Sequence, residues 1–251
     1  MVLTTQRLGI IDWGIGGISI YKLIKEGGDV PVTYFSDTGV TAYGKMSRKE
    51  LSSRLDSVVE FLKSRGVTHV VIGCNAASTA APFLRDHGVP VLGIIETAVD
   101  TAAHVKPTFL GLIGGRRTVI SGVYRKAFAE RGIDVKQRVA QPLSGMIESG
   151  DLASAELQEQ CKLILRPLKN CSHILLACTH YPAITSLLAQ HVSPQTRFID
   201  PSIYLVRKVK RWKLKGPGED EFFTSGDCDG MKRAAKAAFG VAIRSAKRAM
   251  Q

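Results

Sequence analysis

Short apolar runs bounded by polar or turn-forming residues recur along this chain, and a segment with helical periodicity follows most of them. Such runs are typical of strands buried in a parallel sheet. The regular alternation of strands and helices predicts an α/β protein with doubly wound parallel sheets. The predicted strands cover residues 8–12, 32–35, 67–73, 90–96, 109–113, 174–177 and 222–224. The predicted helices cover residues 18–26, 47–64, 76–86, 97–104, 118–131, 151–168 and 182–191, and a last helix begins near Met231.

The second half of the chain repeats patterns of the first half. The segments 69–74 and 173–178 each run from a histidine through an apolar stretch to a cysteine, and the segments 8–12 and 110–114 are also alike. Both offsets are about one hundred residues, which is the size of a domain and too long for a solenoid repeat. We therefore predict two pseudo-symmetric domains with the active site in the cleft between them. The first comprises residues 1–96 and 205–251, and the second comprises residues 97–204.

The composition is that of an ordinary soluble globular protein, with 251 residues of which 45% are hydrophobic and 22% charged. The start of the chain shows no signal-peptide pattern, and no apolar stretch approaches the roughly 20 residues that span a bilayer. The five cysteines show no Cys-x-x-Cys spacing, which favours reduced thiols. We therefore predict a cytoplasmic protein that has no membrane partner.

The net charge of +12 raises the question of a polyanionic partner. Many basic residues lie near the C-terminus, in the segments 207–215 and 232–248, and Trp212 lies among them. A nucleic-acid-binding surface and a solvated helix face both fit this pattern. We favour the solvated face, because no RNA- or DNA-binding motif accompanies the charge, and we predict that nucleic acid is not a partner.

Cys74 and Cys178 are the strongest candidates for chemistry. A buried free cysteine usually acts as a small hydrophobe. These two, however, follow equivalent strands of a repeat, and ligands bind at the carboxyl ends of strands in open α/β sheets. A zinc site would need Asp12 and His180 as further ligands without any recognisable ligand spacing, so we predict no metal. Two thiols on opposite walls of one cleft suit removal of a proton from one face of a carbon and its return to the other face.

Other polar residues near these strand ends are open to two interpretations. The glycine-rich turn 12–17 fits neither the dinucleotide-binding nor the Walker pattern, and it is either an anion-binding turn or a plain strand-to-helix connection. Asp12 is either a functional residue or a helix cap. His180 could share a proton with the nearby thiol of Cys178. Glu148 precedes a glycine turn, and its position alone indicates no role.

At these motifs the chain resembles the glutamate racemases, within the aspartate/glutamate racemase superfamily, over essentially its whole length. The family's opening Asp-Ser-Gly-x-Gly-Gly and its later Cys-Asn-Thr-Ala-Ser and Cys-Thr-His-Tyr-Pro motifs all have counterparts here. The last motif is intact and is the most specific of them. The matching segments are Asp12-Trp13-Gly14-Ile15-Gly16-Gly17, Tyr34-Phe35-Ser36-Asp37-Thr38, Ala42-Tyr43-Gly44, Cys74-Asn75-Ala76-Ala77-Ser78 and Cys178-Thr179-His180-Tyr181-Pro182.

This resemblance implies a racemase that needs no cofactor, in which one cysteine thiolate takes the α-proton of glutamate and the other thiol returns a proton to the opposite face. It further implies that Cys178 acts on L-glutamate and Cys74 on D-glutamate, that D-glutamate supplies peptidoglycan synthesis, and that the enzyme is a homodimer. The implied catalytic residues are Asp12, Cys74, Glu148, Cys178 and His180. The predicted substrate-binding residues are Asp12, Trp13, Tyr43, Gly44, Asn75, Ala76, Thr118, Thr179 and His180.

Two departures from the family pattern fall at predicted substrate contacts. Trp13 replaces a serine that contacts substrate, and Ala76 replaces a threonine that donates a hydrogen bond to a substrate carboxylate. Loss of such a donor costs about 1.5–3 kcal/mol of binding free energy, and an arginine at position 116 or 117 could replace it. Our first hypothesis is a glutamate racemase. The alternatives are a racemase of aspartate or of another carboxylate substrate by the same two-thiol mechanism, and a catalytically weak homologue that acts as a binding or regulatory protein.

Overall fold

The structure is a computed structural model that describes residues 6–250, and within them the strands form two parallel sheets. The first sheet has the order β10-β9-β2-β1-β3-β4, and the second has the order β6-β5-β7-β8. The strands of the first sheet are β1 (Leu8–Asp12), β2 (Val32–Ser36), β3 (His69–Ile72), β4 (Val91–Gly93), β9 (Glu221–Thr224) and β10 (Lys247–Arg248). Those of the second are β5 (Leu110–Gly114), β6 (Val135–Val139), β7 (His173–Ala177) and β8 (Arg197–Ile199).

Helices connect these strands and cover the faces of both sheets. They are α1 (Ile18–Lys25), α2 (Arg48–Ser64), α3 (Asn75–Ser78), α4 (Ile94–Val105), α5 (Arg116–Ile120), α6 (Val123–Ala129), α7 (Gln141–Glu148), α8 (Ala155–Leu165), α9 (Thr185–Ala189), α10 (Pro201–Lys210) and α11 (Cys228–Phe239). Along β1, Leu8 and Ile10 belong to one buried cluster with the apolar residues of α1. Ile11 points to the opposite face and belongs to another cluster with those of α2. Helices on both faces of a parallel sheet make this a doubly wound α/β fold, as predicted.

Two predicted elements of the first half are wrong in extent. In place of the helix predicted over 76–86, the four-residue α3 is followed by a 3₁₀ turn over Ala81–Phe83. Pro82 lies in that turn and has no N–H with which to continue an α-helix. The strand predicted over 90–96 ends at Gly93, and α4 begins at Ile94, with Glu96 in its first turn, where an acidic side chain favours helix formation.

Three predicted helices of the second half also differ in extent. The helix predicted over 118–131 is divided into α5 and α6 at Gly122, whose φ of 70° interrupts an α-helix. The helix predicted over 151–168 begins only at Ala155, because the Ser154 side chain accepts a hydrogen bond from Leu157 N and caps α8. The segment 182–191 contains a 3₁₀ turn and the short α9.

Five elements lie outside the sequence predictions, namely β6, β8, β10, α7 and α10. In strand β6, exposed Lys136 and Arg138 alternate with partly buried neighbours. The strand therefore lacks the continuous apolar run that predicts a buried strand. Strand β10 has two residues and both are exposed. Helix α7 places Glu148 at its C-terminal end, which matters for the site described below.

The C-terminal segment adds to the first sheet, where β9 pairs with β2 and β10 pairs with β9. The proposed domain boundaries after residues 96 and 204 both fall inside helices, α4 and α10 respectively. The division into residues 1–96 with 205–251 and residues 97–204 therefore stays a prediction. Across residues 6–250, none of the helices combines the length and the apolar character that crossing a bilayer requires.

Candidate active site

The carboxyl ends of central strands from both sheets meet at one place. Asp12 ends β1 of the first sheet, and Thr179 follows β7 of the second. The Thr179 hydroxyl donates a hydrogen bond to Asp12 Oδ2 at 2.8 Å, and both side chains are almost fully buried. This bond joins the two halves of the molecule directly at the strand ends where the sequence predicts the site.

Cys178, His180 and Glu148 form a connected row on the second-half side. Cys178 Sγ lies 3.6 Å from His180 Nδ1, and His180 Nε2 lies 2.6 Å from Glu148 Oε2. Burial lowers the pKa of His180, but its hydrogen bonds to Cys178 and Glu148 and the charges of these groups outweigh burial and hold that pKa well above its usual value. The row therefore favours an imidazolium beside the sulfur of Cys178.

The glycine-rich turn after β1 packs directly on this row. The backbone N–H of Ile15 donates to Glu148 Oε2 at 2.9 Å. A Cβ on Gly14 would overlap the Glu148 carboxylate, and a Cβ on Gly16 would overlap the Thr179 hydroxyl and lie 2.8 Å from His180 Nδ1. These glycines are needed because the backbone approaches the catalytic candidates too closely for any side chain.

Replacement of Gly14 by alanine tests this close approach. We expect Gly14→Ala to displace the flexible end of Glu148 and so to reduce activity by about tenfold, while the melting temperature falls by only about 2–4 °C. Assays of the predicted racemase activity and thermal unfolding measure the two effects. Gly145→Ala is the matched control, because a Cβ there meets no atom within 4 Å. An equal loss of activity in both variants would show that the Glu148 contact is irrelevant.

Cys74 lies on the opposite side of the same site, after β3 and at the start of α3. Burial raises its pKa well above the usual value, and charges on Asp12 and Cys178 raise it further. The backbone N–H groups of Ala77 and Trp13 act in the other direction. Burial therefore favours the protonated form of Cys74.

Asn75 offers a hydrogen-bond donor without a partner. Its side chain is 2% exposed, and its Oδ1 accepts a hydrogen bond from the Tyr124 hydroxyl at 2.7 Å. Its Nδ2 is buried and has no hydrogen-bond partner within residues 6–250. Because buried polar groups are normally paired, this donor is suited to a bound ligand.

Tyr43 and Asp12 are held by partners within the protein. The Tyr43 hydroxyl donates to Asp37 Oδ2 at 2.7 Å, and Arg54 binds the same buried carboxylate through Nε and Nη2. Asp12 Oδ1 accepts the backbone N–H of Trp13 at 2.7 Å. Burial is the largest effect on Asp12 and raises its pKa above the usual value. The charge of His180 and the hydrogen bonds from Thr179 and Trp13 act in the opposite direction.

The remaining predicted substrate residues lie around this centre. The Trp13 indole N–H donates to Val40 O at 3.4 Å, and the ring borders a cavity of approximately 490 Å³ that Glu148 also lines. Ala76 packs on the same apolar cluster as Trp13. Thr118 is buried on α5, and Gly44 is partly exposed opposite that helix.

Several residues at the site were not identified from the sequence. Asp37 and Tyr124 hold predicted substrate residues in place, and Asp37 belongs to the matched Tyr-Phe-Ser-Asp-Thr segment, which was the available signal. The Arg117 guanidinium binds Thr79 and Met46, so its described hydrogen bonds go to the protein. Within residues 6–250, no cluster of three or more His, Cys, Asp or Glu side chains has an arrangement that could hold a metal ion.

Comparison with known proteins identifies the family. The sequence model of the Asp/Glu/Hydantoin racemase family matches residues 20–209. A glutamate racemase from Synechococcus sp. is 33% identical over 223 residues, which cover 86% of this chain and 83% of that protein.

Solved structures agree with this assignment. The structure of a glutamate racemase isoform from Bacillus anthracis is 26% identical, covers 98% of both chains and has a TM-score of 0.89. A glutamate racemase from Francisella tularensis in complex with D-glutamate shares the fold, with 23% identity, coverage of 99% and 98% and a TM-score of 0.87. The predicted fold class and family resemblance are thereby confirmed. Because the family match extends over most of the chain and is supported by a relative of 33% identity, this chain belongs to the Asp/Glu/Hydantoin racemase family of isomerases.

Proposed function

We propose that this protein interconverts L- and D-glutamate by transferring protons at Cα between substrate and two cysteine thiols. The observation that supports this most directly is that Cys74 and Cys178 follow equivalent strands, β3 and β7, in two sheets whose strand ends are joined by the hydrogen bond from Thr179 to Asp12. Their surroundings differ, since Cys178 lies beside His180, whereas Cys74 is partly buried and has a raised pKa that favours its thiol form. One base and one acid on opposite walls are what a two-base racemisation requires.

In the L to D direction, the Cys178 thiolate removes the α-proton of L-glutamate and becomes a thiol. The resulting carbanion takes the thiol proton of Cys74 on its opposite face, which yields D-glutamate and a Cys74 thiolate. One proton enters the carbon and one leaves it, so the substrate composition is unchanged. Return of the enzyme to its starting form moves one proton from Cys178 to Cys74 by way of solvent or the reverse reaction.

The second requirement is stabilisation of the negative charge that develops on the substrate. Positioned donors in a water-poor site are effective because they need no reorganisation during the reaction. Asn75 Nδ2 is such a donor, buried and without a partner among the described residues. The imidazolium of His180, held by Glu148, places positive charge at the same site.

Glutamate is the proposed substrate because several proteins that are similar in sequence and fold are glutamate racemases. Trp13 and Ala76, which stand where the family has hydroxyl residues, are the reason to test a shorter acid as well. The neighbouring solved structures include an aspartate racemase from Picrophilus torridus, which shares the fold at 16% identity with a TM-score of 0.67. Aspartate is therefore the alternative substrate.

Proton NMR of the purified protein in deuterated water tests this proposal. We expect the α-proton signal of L-glutamate to disappear as solvent deuterium enters, with little or no exchange of L-aspartate and none of either in a Cys178→Ala control. Exchange of aspartate alone would identify aspartate as the substrate in place of glutamate and would leave the proposed two-thiol mechanism unchanged. If neither acid exchanges at millimolar concentration, near the upper end of ordinary KM values, the glutamate racemase proposal fails.

The same proposal extends to the cell. We propose that the enzyme works in the cytoplasm as a homodimer and that its D-glutamate is used for peptidoglycan. The family resemblance supports these statements. Size measurement in solution and growth of a depleted strain with and without D-glutamate test them.

A further inference from the structure

Arg117 reaches from one half of the molecule to the other. It is the second residue of α5, which follows β5 of the second sheet. Its guanidinium nevertheless bonds to the first half, where Nε donates to Thr79 Oγ1 at 2.8 Å and Nη1 donates to the backbone oxygen of Met46 at 2.5 Å. The planar, forked arrangement of its donors suits two acceptors that must be held in fixed directions.

The first of these contacts leads to the helix behind Cys74. Thr79 follows Ser78 and caps the C-terminal end of α3, and its hydroxyl donates to the Ala76 backbone oxygen at 2.7 Å while it accepts from Arg117. Helix α3 also contains Asn75, whose unpartnered Nδ2 is the candidate donor to substrate. Through Thr79, the guanidinium therefore fixes the turn that holds both a catalytic thiol and a binding amide.

The second contact holds the loop that contains Tyr43 and Gly44. Met46 lies two residues after Gly44. A Cβ on Gly44 would lie 3.9 Å from the Cβ of Arg117, which is ordinary van der Waals contact. The loop and α5 are thus packed together on the two sides of the cleft.

We propose that Arg117 is a positioning residue that holds the Tyr43–Gly44 loop and helix α3 against α5, so that both walls of the substrate site are in place before substrate binds. This inference rests on the proposed function, because it assigns that site its substrate-ready form. From the sequence, an arginine at position 116 or 117 could replace the hydrogen bond to the substrate carboxylate that is lost at Ala76. The hydrogen bonds of Arg117 indicate a different role for this residue. Arg117 acts on the walls of the site and not on the substrate.

The expected kinetic effect follows from the fraction of molecules in which both walls of the substrate site are in place. If only a fraction of the molecules has both walls in place, the apparent dissociation constant rises by the inverse of that fraction, while bound substrate reacts as before. We therefore expect Arg117→Ala to raise KM by about tenfold and to leave kcat within about twofold of the wild type. Arg117→Lys should behave almost like Arg117→Ala, because a single ammonium does not reproduce the fork.

A second measurement does not depend on racemase activity. Without substrate, alkylation of Cys74 by iodoacetamide, followed peptide by peptide with mass spectrometry, reports how open the cleft is. We expect Arg117→Ala to accelerate alkylation of Cys74 by about tenfold and to leave Cys228 unchanged. The matched control is Arg116→Ala, because the described hydrogen bond of Arg116 is made by its backbone N–H, which the substitution retains.

Substitutions at Thr79 complete the test. Thr79→Val removes the acceptor and should reproduce part of the Arg117→Ala effect, whereas Thr79→Ser keeps the hydroxyl and should behave like the wild type. The effects of Arg117→Ala and Thr79→Val should be less than additive, since the two residues share one contact. If Arg117→Ala lowers only the melting temperature, with KM and Cys74 alkylation equal to those of the wild type, the proposal is overturned. A chain that racemises neither acid but shows the alkylation pattern would instead contradict the proposed function alone.

Discussion

Replacing Cys178 with alanine is expected to lower the rate of L-glutamate racemisation by at least about 1,000-fold, and Cys74→Ala is expected to do the same. A positioned general acid or base contributes about 10²–10⁴ in rate, and the acidity of an α-carbon is so low that water does not replace the thiol. In the proposed mechanism each thiol acts on its own face of the substrate, so neither can substitute for the other. Polarimetry or circular dichroism measures the loss in both directions.

The two variants should differ in hydrogen exchange. In Cys74→Ala the thiol of Cys178 remains, so slow deuterium incorporation into L-glutamate without inversion is expected, and Cys178→Ala should show the corresponding behaviour with D-glutamate. Cys228→Ala is the matched control, because this partly exposed cysteine begins α11 and is outside the row of site residues. Racemisation within tenfold of the wild type in either Cys74→Ala or Cys178→Ala would rule out the two-thiol mechanism.

The strand patterns were sufficient to predict the α/β fold and the position of the two cysteines. A buried parallel strand is recognisable from a short apolar run, and the side chain that follows it is brought to the carboxyl edge of the sheet. Cys74 and Cys178 lie where this reasoning places them, after β3 and β7. Strand β6 was missed because its exposed positions hold Lys136 and Arg138, so its pattern is polar at every second residue.

The contacts across the site could not be predicted because they join segments that are distant in the sequence. Glu148 and His180 are 32 residues apart, and Asp12 and Thr179 are 167 residues apart. Glu148 also lies at the end of α7, a helix that the sequence pattern did not reveal. Family resemblance pointed to Glu148, whereas the bond to His180 required the structure. The catalytic and binding roles of these residues stay predictions until the variants are measured.

Replacing Glu148 with glutamine is expected to reduce racemisation by about a hundredfold at neutral pH and to change its pH dependence. Glutamine has nearly the same shape and can still accept the Ile15 N–H, so the fold around the glycine turn should persist. What disappears is the negative charge 2.6 Å from His180 Nε2. That charge and hydrogen bond support the raised pKa of His180 against the effect of burial, which lowers it. In Glu148→Gln the pKa of His180 must therefore fall.

The sign of the pH effect follows from this change. In the proposed mechanism the imidazolium of His180 is the active partner of Cys178, and it is lost as pH rises through the pKa of His180. The alkaline limb of the kcat/KM profile should therefore move to lower pH in Glu148→Gln. The pair also stabilises the fold, fully below the unfolded pKa of about 6.5 and progressively less as pH rises through the higher folded value. The loss of unfolding free energy in Glu148→Gln should consequently be larger near pH 6 than at alkaline pH. Glu159→Gln, on the exposed face of α8, should shift neither quantity. An unchanged alkaline limb in Glu148→Gln would mean that the proton on His180 is not needed for activity, and Glu148 would then have only a structural role.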